Sequence, residues 1–133
     1  MIVLDASAAA ALLLDQDEAS EVIRALGDVE IAAPDHLGIE LLSVLRGWVR
    51  SGQLPEIRAR KALDDLDDLG ILWFPTQPLL RAAWRLRENA SAYDAIYLAL
   101  VQQLTPDDPD VHLVTLDARL ARAFPRLAVV PGT

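Results

Sequence analysis

Four acidic residues, Asp5, Glu40, Asp94 and Asp117, stand where a carboxylate could do chemistry. Asp5 directly follows the apolar run Ile2-Val3-Leu4, and Asp117 ends the stretch Leu113-Val114-Thr115-Leu116. Glu40 borders an apolar helical stripe, one turn from both Leu37 and Val44. Asp94 opens a segment, Ala95 to Val101, that leaves no polar helical face. Such acids can hold a hard divalent cation or move protons. Each also has an ordinary structural reading. Asp5 and Asp117 suit helix caps, Ser91-x-x-Asp94 fits a capping box, and Glu40 fits a helix boundary.

The elements that must position these acids alternate along the chain. Short apolar runs at Ile2–Leu4, Ile31–Ala33, Ile71–Phe74, His112–Thr115 and Leu127–Val130 read as five strands. Helical patterns fill the intervals: about Ala8–Leu14, Glu18–Leu26, His36–Ser51, Pro55–Leu69, Pro78–Arg87, Tyr93–Gln103 and Ala118–Ala123. Strands separated by helices need crossover connections. The expected fold is therefore one α/β domain over residues 1–133, a three-layer α/β/α sandwich with a five-stranded, mainly parallel sheet. Ligands in such sheets sit beyond the carboxyl ends of the strands, which directs attention to Asp5 and Asp117.

The bulk properties narrow the choice. With 133 residues and 53% hydrophobic content, the chain can form a core without staples. It has no cysteine, so disulfides and thiolate metal sites are excluded. The start lacks a secretory pattern, and the longest apolar run, Ala8 to Leu14, is too short for a membrane span. A cytoplasmic protein without a membrane partner is expected. Its 12 basic and 20 acidic residues give a net charge of −8. That argues against nucleic-acid binding by broad electrostatic attraction, and an acidic surface can simply confer solubility. An RNA ligand would need cations, or arginines, placed locally against the acidity.

The segments that carry the acids resemble those of the PIN-domain family, and in particular its VapC-like toxin ribonucleases. Ile2-Val3-Leu4-Asp5-Ala6-Ser7 is similar to the opening strand and first acid. Pro34-x-His36-Leu37-x-x-Glu40-Leu41-x-x-Val44-Leu45-Arg46 resembles the segment of the second. Ala92-Tyr93-Asp94-Ala95-Ile96-Tyr97-Leu98-Ala99-Leu100 looks like the third. Leu113-Val114-Thr115-x-Asp117-x-x-Leu120-Ala121-Arg122-Ala123 looks like the fourth. Order and spacing agree over nearly the whole chain. The connection 104–111 departs from the pattern, being longer and more acidic, and is expected to alter a far-edge loop rather than the acid set.

What the resemblance implies is a metal-dependent endoribonuclease, the toxin of a toxin–antitoxin pair. Asp5, Glu40, Asp94 and Asp117 would form the catalytic, metal-binding set, with Ser7 and Thr115 as auxiliary polar groups. The cofactor would be magnesium (Mg2+), with manganese (Mn2+) as substitute. Two carboxylates ~4 Å apart repel by roughly 4 kcal/mol at an effective dielectric near 20, so converging acids need such a counter-ion. The implied partners are an RNA substrate, an antitoxin with a basic segment, and a second copy of the chain in a homodimer.

Other features carry less. Asp64, Asp65, Asp67 and Asp68 lie late in an amphipathic helix and read as a solvated face. His36 and His112 are expected in structural roles, and Trp48, Trp73 and Trp84 in the core or an interface. A phospho-receiver domain would want a lysine after the last strand, and the single lysine is Lys61 within a helix. No glycine-rich phosphate loop occurs. The rival from another class is a PIN-like binding module that has lost catalysis.

Overall fold

The structure, a computed structural model, describes residues 1–133. Five short strands form it: β1 (Ile2–Leu4), β2 (Ile31–Pro34), β3 (Leu72–Phe74), β4 (His112–Val114) and β5 (Ala128–Val129). All pair in parallel, in the order β3-β2-β1-β4-β5. The chain builds outward from β1 to one side, then returns to the other. The reversal falls between β1 and β4, where Val3 pairs with Leu113 and Leu4 with Val114. That is the topological switch point at which open α/β sheets bind ligands.

Seven helices connect the strands: α1 (Ala6–Leu13), α2 (Ala19–Leu26), α3 (His36–Arg50), α4 (Glu56–Asp68), α5 (Leu80–Trp84), α6 (Ala92–Leu104) and α7 (Ala118–Ala123). Helix α1 packs against α2, α3 and α4, while α6 lies on β1, β2 and β4 and packs against α5. The result is the expected three-layer sandwich, with the sheet wholly rather than mainly parallel. Gly70 takes φ +68° just past α4, a left-handed turn that a side chain would strain.

Two helices differ from the expected bounds by more than one position. Helix α1 starts at Ala6, two positions early, because the Asp5 carboxylate accepts the Ala8 N–H at 3.0 Å and caps the helix at once. The helix expected at Pro78–Arg87 is a 3-10 turn (Gln77–Leu79) followed by the short α5. The Arg87 guanidinium takes the Trp84 carbonyl at 3.0 Å and stacks over the Trp84 ring at 4.5 Å, closing the helix there. Trp84 is not a core residue; 66% of it is exposed.

Helix α6 anchors the molecule. Ala95 through Val101 are all buried, and Leu98, Leu100 and Val101 have no exposed surface. It precedes the parallel strand β4, so it runs back from the carboxyl edge of the sheet to the amino edge. Its first turn, which holds Asp94, therefore lies at the edge where β1 and β4 end.

Candidate active site

Asp5 is held from three directions. It is only 5% exposed. Its Oδ1 accepts the Ser7 hydroxyl at 2.6 Å and the Ala8 N–H at 3.0 Å. Burial pushes its pKa above the usual 3.8, hydrogen bonds from Ser7, Thr115 and Ala8 oppose that, and the charge of Asp94 adds to it. Ser7 Oγ in turn accepts the Leu116 N–H at 3.0 Å and stands 3.5 Å from Thr115 Oγ1. Thr115 Oγ1 accepts the Asp117 N–H at 3.1 Å. The two auxiliary hydroxyls thus stitch the chain after β1 to the chain after β4.

Asp117 caps α7, its Oδ1 accepting the Leu120 N–H at 3.1 Å. Asp94 is not a cap: Ser91 fills that role, its Oγ accepting the Asp94 N–H at 3.1 Å. The Asp94 carboxylate is left to face the cleft. Burial and then the charge of Asp117 raise its pKa above 3.8. Asp5, Asp94 and Asp117 thus lie within electrostatic reach as a series, each felt by the next. A cleft of about 430 Å³ opens beside them, lined by Glu88, Asn89, Ser91, Asp94, Asp117 and Arg119.

Glu40 joins through two residues to which sequence reasoning gave no role in the site. The Tyr97 hydroxyl donates to Glu40 Oε1 at 2.8 Å. His36 Nε2 lies 3.2 Å from the same oxygen and 3.0 Å from the Tyr93 carbonyl. Both neighbours are acceptors, so the ring proton sits on Nε2. Nδ1 is buried without a partner, and the ring rests on Tyr97 at 4.5 Å between centroids. Tyr97 itself is 1% exposed, and its pKa is driven far up by burial and by the charges of Glu40 and Asp5. It stays a phenol donor, bridging Glu40 toward Asp5. One signal was readable: His36 precedes Glu40 by one helical turn. The other, a lone hydroxyl in an apolar helix, points at no particular partner.

The remaining candidates lie apart. His112 binds the Asp110 carbonyl at 2.9 Å at the amino edge of the sheet. In the acidic stretch of α4, Asp65 pairs with Lys61 at 3.0 Å while Asp64, Asp67 and Asp68 are exposed. The 104–111 connection enters β4 at that same amino edge, away from the acids.

The donor set is all carboxylate oxygen, the chemistry a hard cation takes. No three His, Cys, Asp or Glu side chains stand close enough together to ligate one ion directly. Magnesium keeps most of its waters and needs only one or two direct carboxylates, so a looser acidic cage fits it better than a dry cluster. Burial is the first cause of the raised pKa values of Asp5 and Asp94, and like charge adds to it, from Asp94 on Asp5 and from Asp117 on Asp94. Tyr97→Phe removes the hydroxyl that fixes Glu40 and little else. The expected result is metal affinity weakened roughly 10–100-fold, the scale for groups that orient ligands, with Tm within a few degrees of the parent. Calorimetric titration with manganese measures the first and thermal unfolding the second; unchanged affinity would remove Tyr97 from the site.

Comparison with known proteins agrees with the geometry. A sequence model of the PIN domain matches residues 2–124. Ribonuclease VapC1 of Mycobacterium tuberculosis is 39% identical over 123 residues, covering 91% of this chain and 89% of its own. Ribonuclease VapC9 of the same organism is 36% identical over 121 residues, again covering 91% and 89%. The fold is similar to a toxin–antitoxin complex from Klebsiella pneumoniae, with a TM-score of 0.65 at 21% identity, covering 98% of each chain.

Proposed function

Because the chain belongs to the PIN-domain family, we propose that it is an endoribonuclease, the toxin of a toxin–antitoxin pair, hydrolysing RNA phosphodiester bonds with magnesium or manganese. The observation that carries this reading is the gathering of Asp5, Asp94 and Asp117 at the carboxyl edge of the sheet, beside the switch point between β1 and β4. The similarity to relatives named as ribonucleases supplies the substrate class.

Asp5, Asp94, Asp117 and Glu40 would hold the cation. When bound, it supplies an activated water and charge neutralisation at the phosphate. Ser7 and Thr115 orient Asp5 through hydrogen bonds, and Tyr97 and His36 orient Glu40. One of the cleft-facing pair, Asp94 or Asp117, takes the proton released by the attacking water. Ser7 donates to Asp5 and accepts the Leu116 N–H, which commits its oxygen to holding the site, so the attack is by water, direct and in line.

The same reading assigns two protein partners. A second copy forms a homodimer. An antitoxin presents a basic segment to the acidic cleft, where an arginine would bind the carboxylates in the place of the cation. The net charge of −8 suits such a partner. The test is cleavage of a structured RNA by the purified chain with magnesium, with manganese and with chelator. Cleavage in the first two and none in the third is expected. No cleavage in any of them, with the fold intact, would favour a PIN-like binding module instead.

A further inference from the structure

Arg119 is the single cation that lines the acidic cleft, sharing its walls with Glu88, Asp94 and Asp117. Two features of its position bear on what it does. First, it has no carboxylate within 4.0 Å. Of the 12 basic residues only Arg60, Lys61 and Arg87 pair with a carboxylate, Glu56, Asp65 and Glu88 at 2.7, 3.0 and 3.8 Å, so what sets Arg119 apart is its place on the wall of the acidic cleft. In a chain of net charge −8, an unpaired arginine beside acids is a group kept open to solvent. Second, it lies in the first turn of α7, two positions after the Asp117 cap. The free N–H groups of a helix start disfavour a cation there. The helix start by itself therefore gives no reason for an arginine at this point.

Function gives one. We propose that Arg119 binds a phosphate of the RNA strand next to the bond that is cut. This rests on the ribonuclease reading above. An acidic cleft repels the backbone it must hold, and a cation bound among the acids neutralises only the phosphate under attack. The neighbouring phosphate needs its own positive partner. A guanidinium presents two parallel N–H groups that match two phosphate oxygens, which a lysine cannot do. Arg119 is thus a binding and positioning residue that sets strand register against Asp94 and Asp117. It takes no part in bond breaking.

The experiment reads binding apart from cleavage. The Asp94→Asn variant, with and without Arg119→Ala, is titrated against a labelled single-stranded RNA by fluorescence anisotropy over a range of potassium chloride. Arg119→Ala should raise Kd about 5–10-fold at moderate salt and lower the log–log salt slope by about 0.7, one phosphate contact on a single strand. Arg119→Lys should recover the salt slope but only part of the affinity. In the otherwise unmutated chain, Arg119→Ala should raise KM with little change in kcat, and should not lower Tm, since the residue opposes the helix dipole. Arg126→Ala is the control, because Arg126 precedes β5 at the amino edge, away from the cleft. Equal Kd and slope with and without Arg119 would overturn the proposal while leaving the ribonuclease reading intact. An equal loss from Arg126→Ala would also overturn it, by showing a diffuse field instead of a site. Failure of the parent protein to bind or cut RNA at all would overturn both.

Discussion

Asp94→Asn should reduce magnesium-dependent RNA cleavage by about 100- to 10,000-fold, the scale of losing a positioned proton acceptor. The substitution keeps the shape and removes the charge. It leaves the start of α6 undisturbed, because Ser91 and not Asp94 caps that helix. It also relieves the metal-free protein. Burial and the Asp117 charge raise the Asp94 pKa above 3.8, so the folded state holds a proton that the unfolded state has released. Stability from this group is present at low pH and fades as pH rises through the folded value. Metal-free wild type should therefore lose Tm relative to Asp94→Asn as pH climbs from 3.8 through that raised value. Magnesium reverses the order. At a hundred times its Kd an ion adds about 2.7 kcal/mol to the wild type, and much less to the variant. Chelator-dependent Tm curves and single-turnover cleavage check both halves. Full activity in Asp94→Asn would remove the residue from the chemistry.

The second large effect is expected on stability and leaves chemistry alone. Leu98 has no exposed surface and sits in the middle of α6, whose buried face rests on β1, β2 and β4. Leu98→Ala should cost about 2–5 kcal/mol, from lost transfer energy and the cavity left behind. For a domain of this size that is a Tm drop of roughly 10 °C or more. Below its lowered transition the variant should cleave with near-normal kcat, since Asp94 lies one turn away at the helix start. Chemical denaturation and kcat at low temperature measure the two effects. A kcat loss as deep as that of Asp94→Asn, with the variant folded, would show that the α6 core tunes the site directly. The two substitutions separate holding the carboxylate in place from being the carboxylate.

Much of this was legible in the residues. The period of the apolar pattern gave five strands and the crossovers between them, and a crossover-linked sheet has its ligand site at the carboxyl edge. Asp5 and Asp117 follow from that rule, while Asp94 joined them only through the likeness to the PIN-domain family. Glu40 was harder, because a boundary glutamate on α3 looks alike whether it serves a site or solvent. The residues that mark it lie far off in sequence: Tyr97 is 57 positions away, and the hydrogen bond exists only once α3 and α6 are docked. His36 was read as structural, and it does hold structure, but the structure it holds is Glu40. The short α5 was missed because its end is set by one side chain, Arg87, reaching back to a carbonyl. Periodicity carries no record of such a contact. Ser7 and Thr115 were named from likeness alone; their shared task, tying the ends of β1 and β4 together, is a long-range fact.

That tie has a consequence for the moment of synthesis. Ser7 and Thr115 are 108 positions apart, and β1 finds β4 only after the connecting chain exists. A chain emerging from the ribosome carries Asp5 early, but it lacks the neighbouring strand and Asp117 until the last stretch is made. At about 5–20 residues per second, the interval lasts several seconds or more. Parallel pairing over such a separation is also slow to form. Through that interval no competent acidic cleft exists beside the translating message. A nuclease built on a sheet whose middle pair joins the two ends of the chain is therefore born inactive, and an inhibitor made alongside it has time to be present when the site closes.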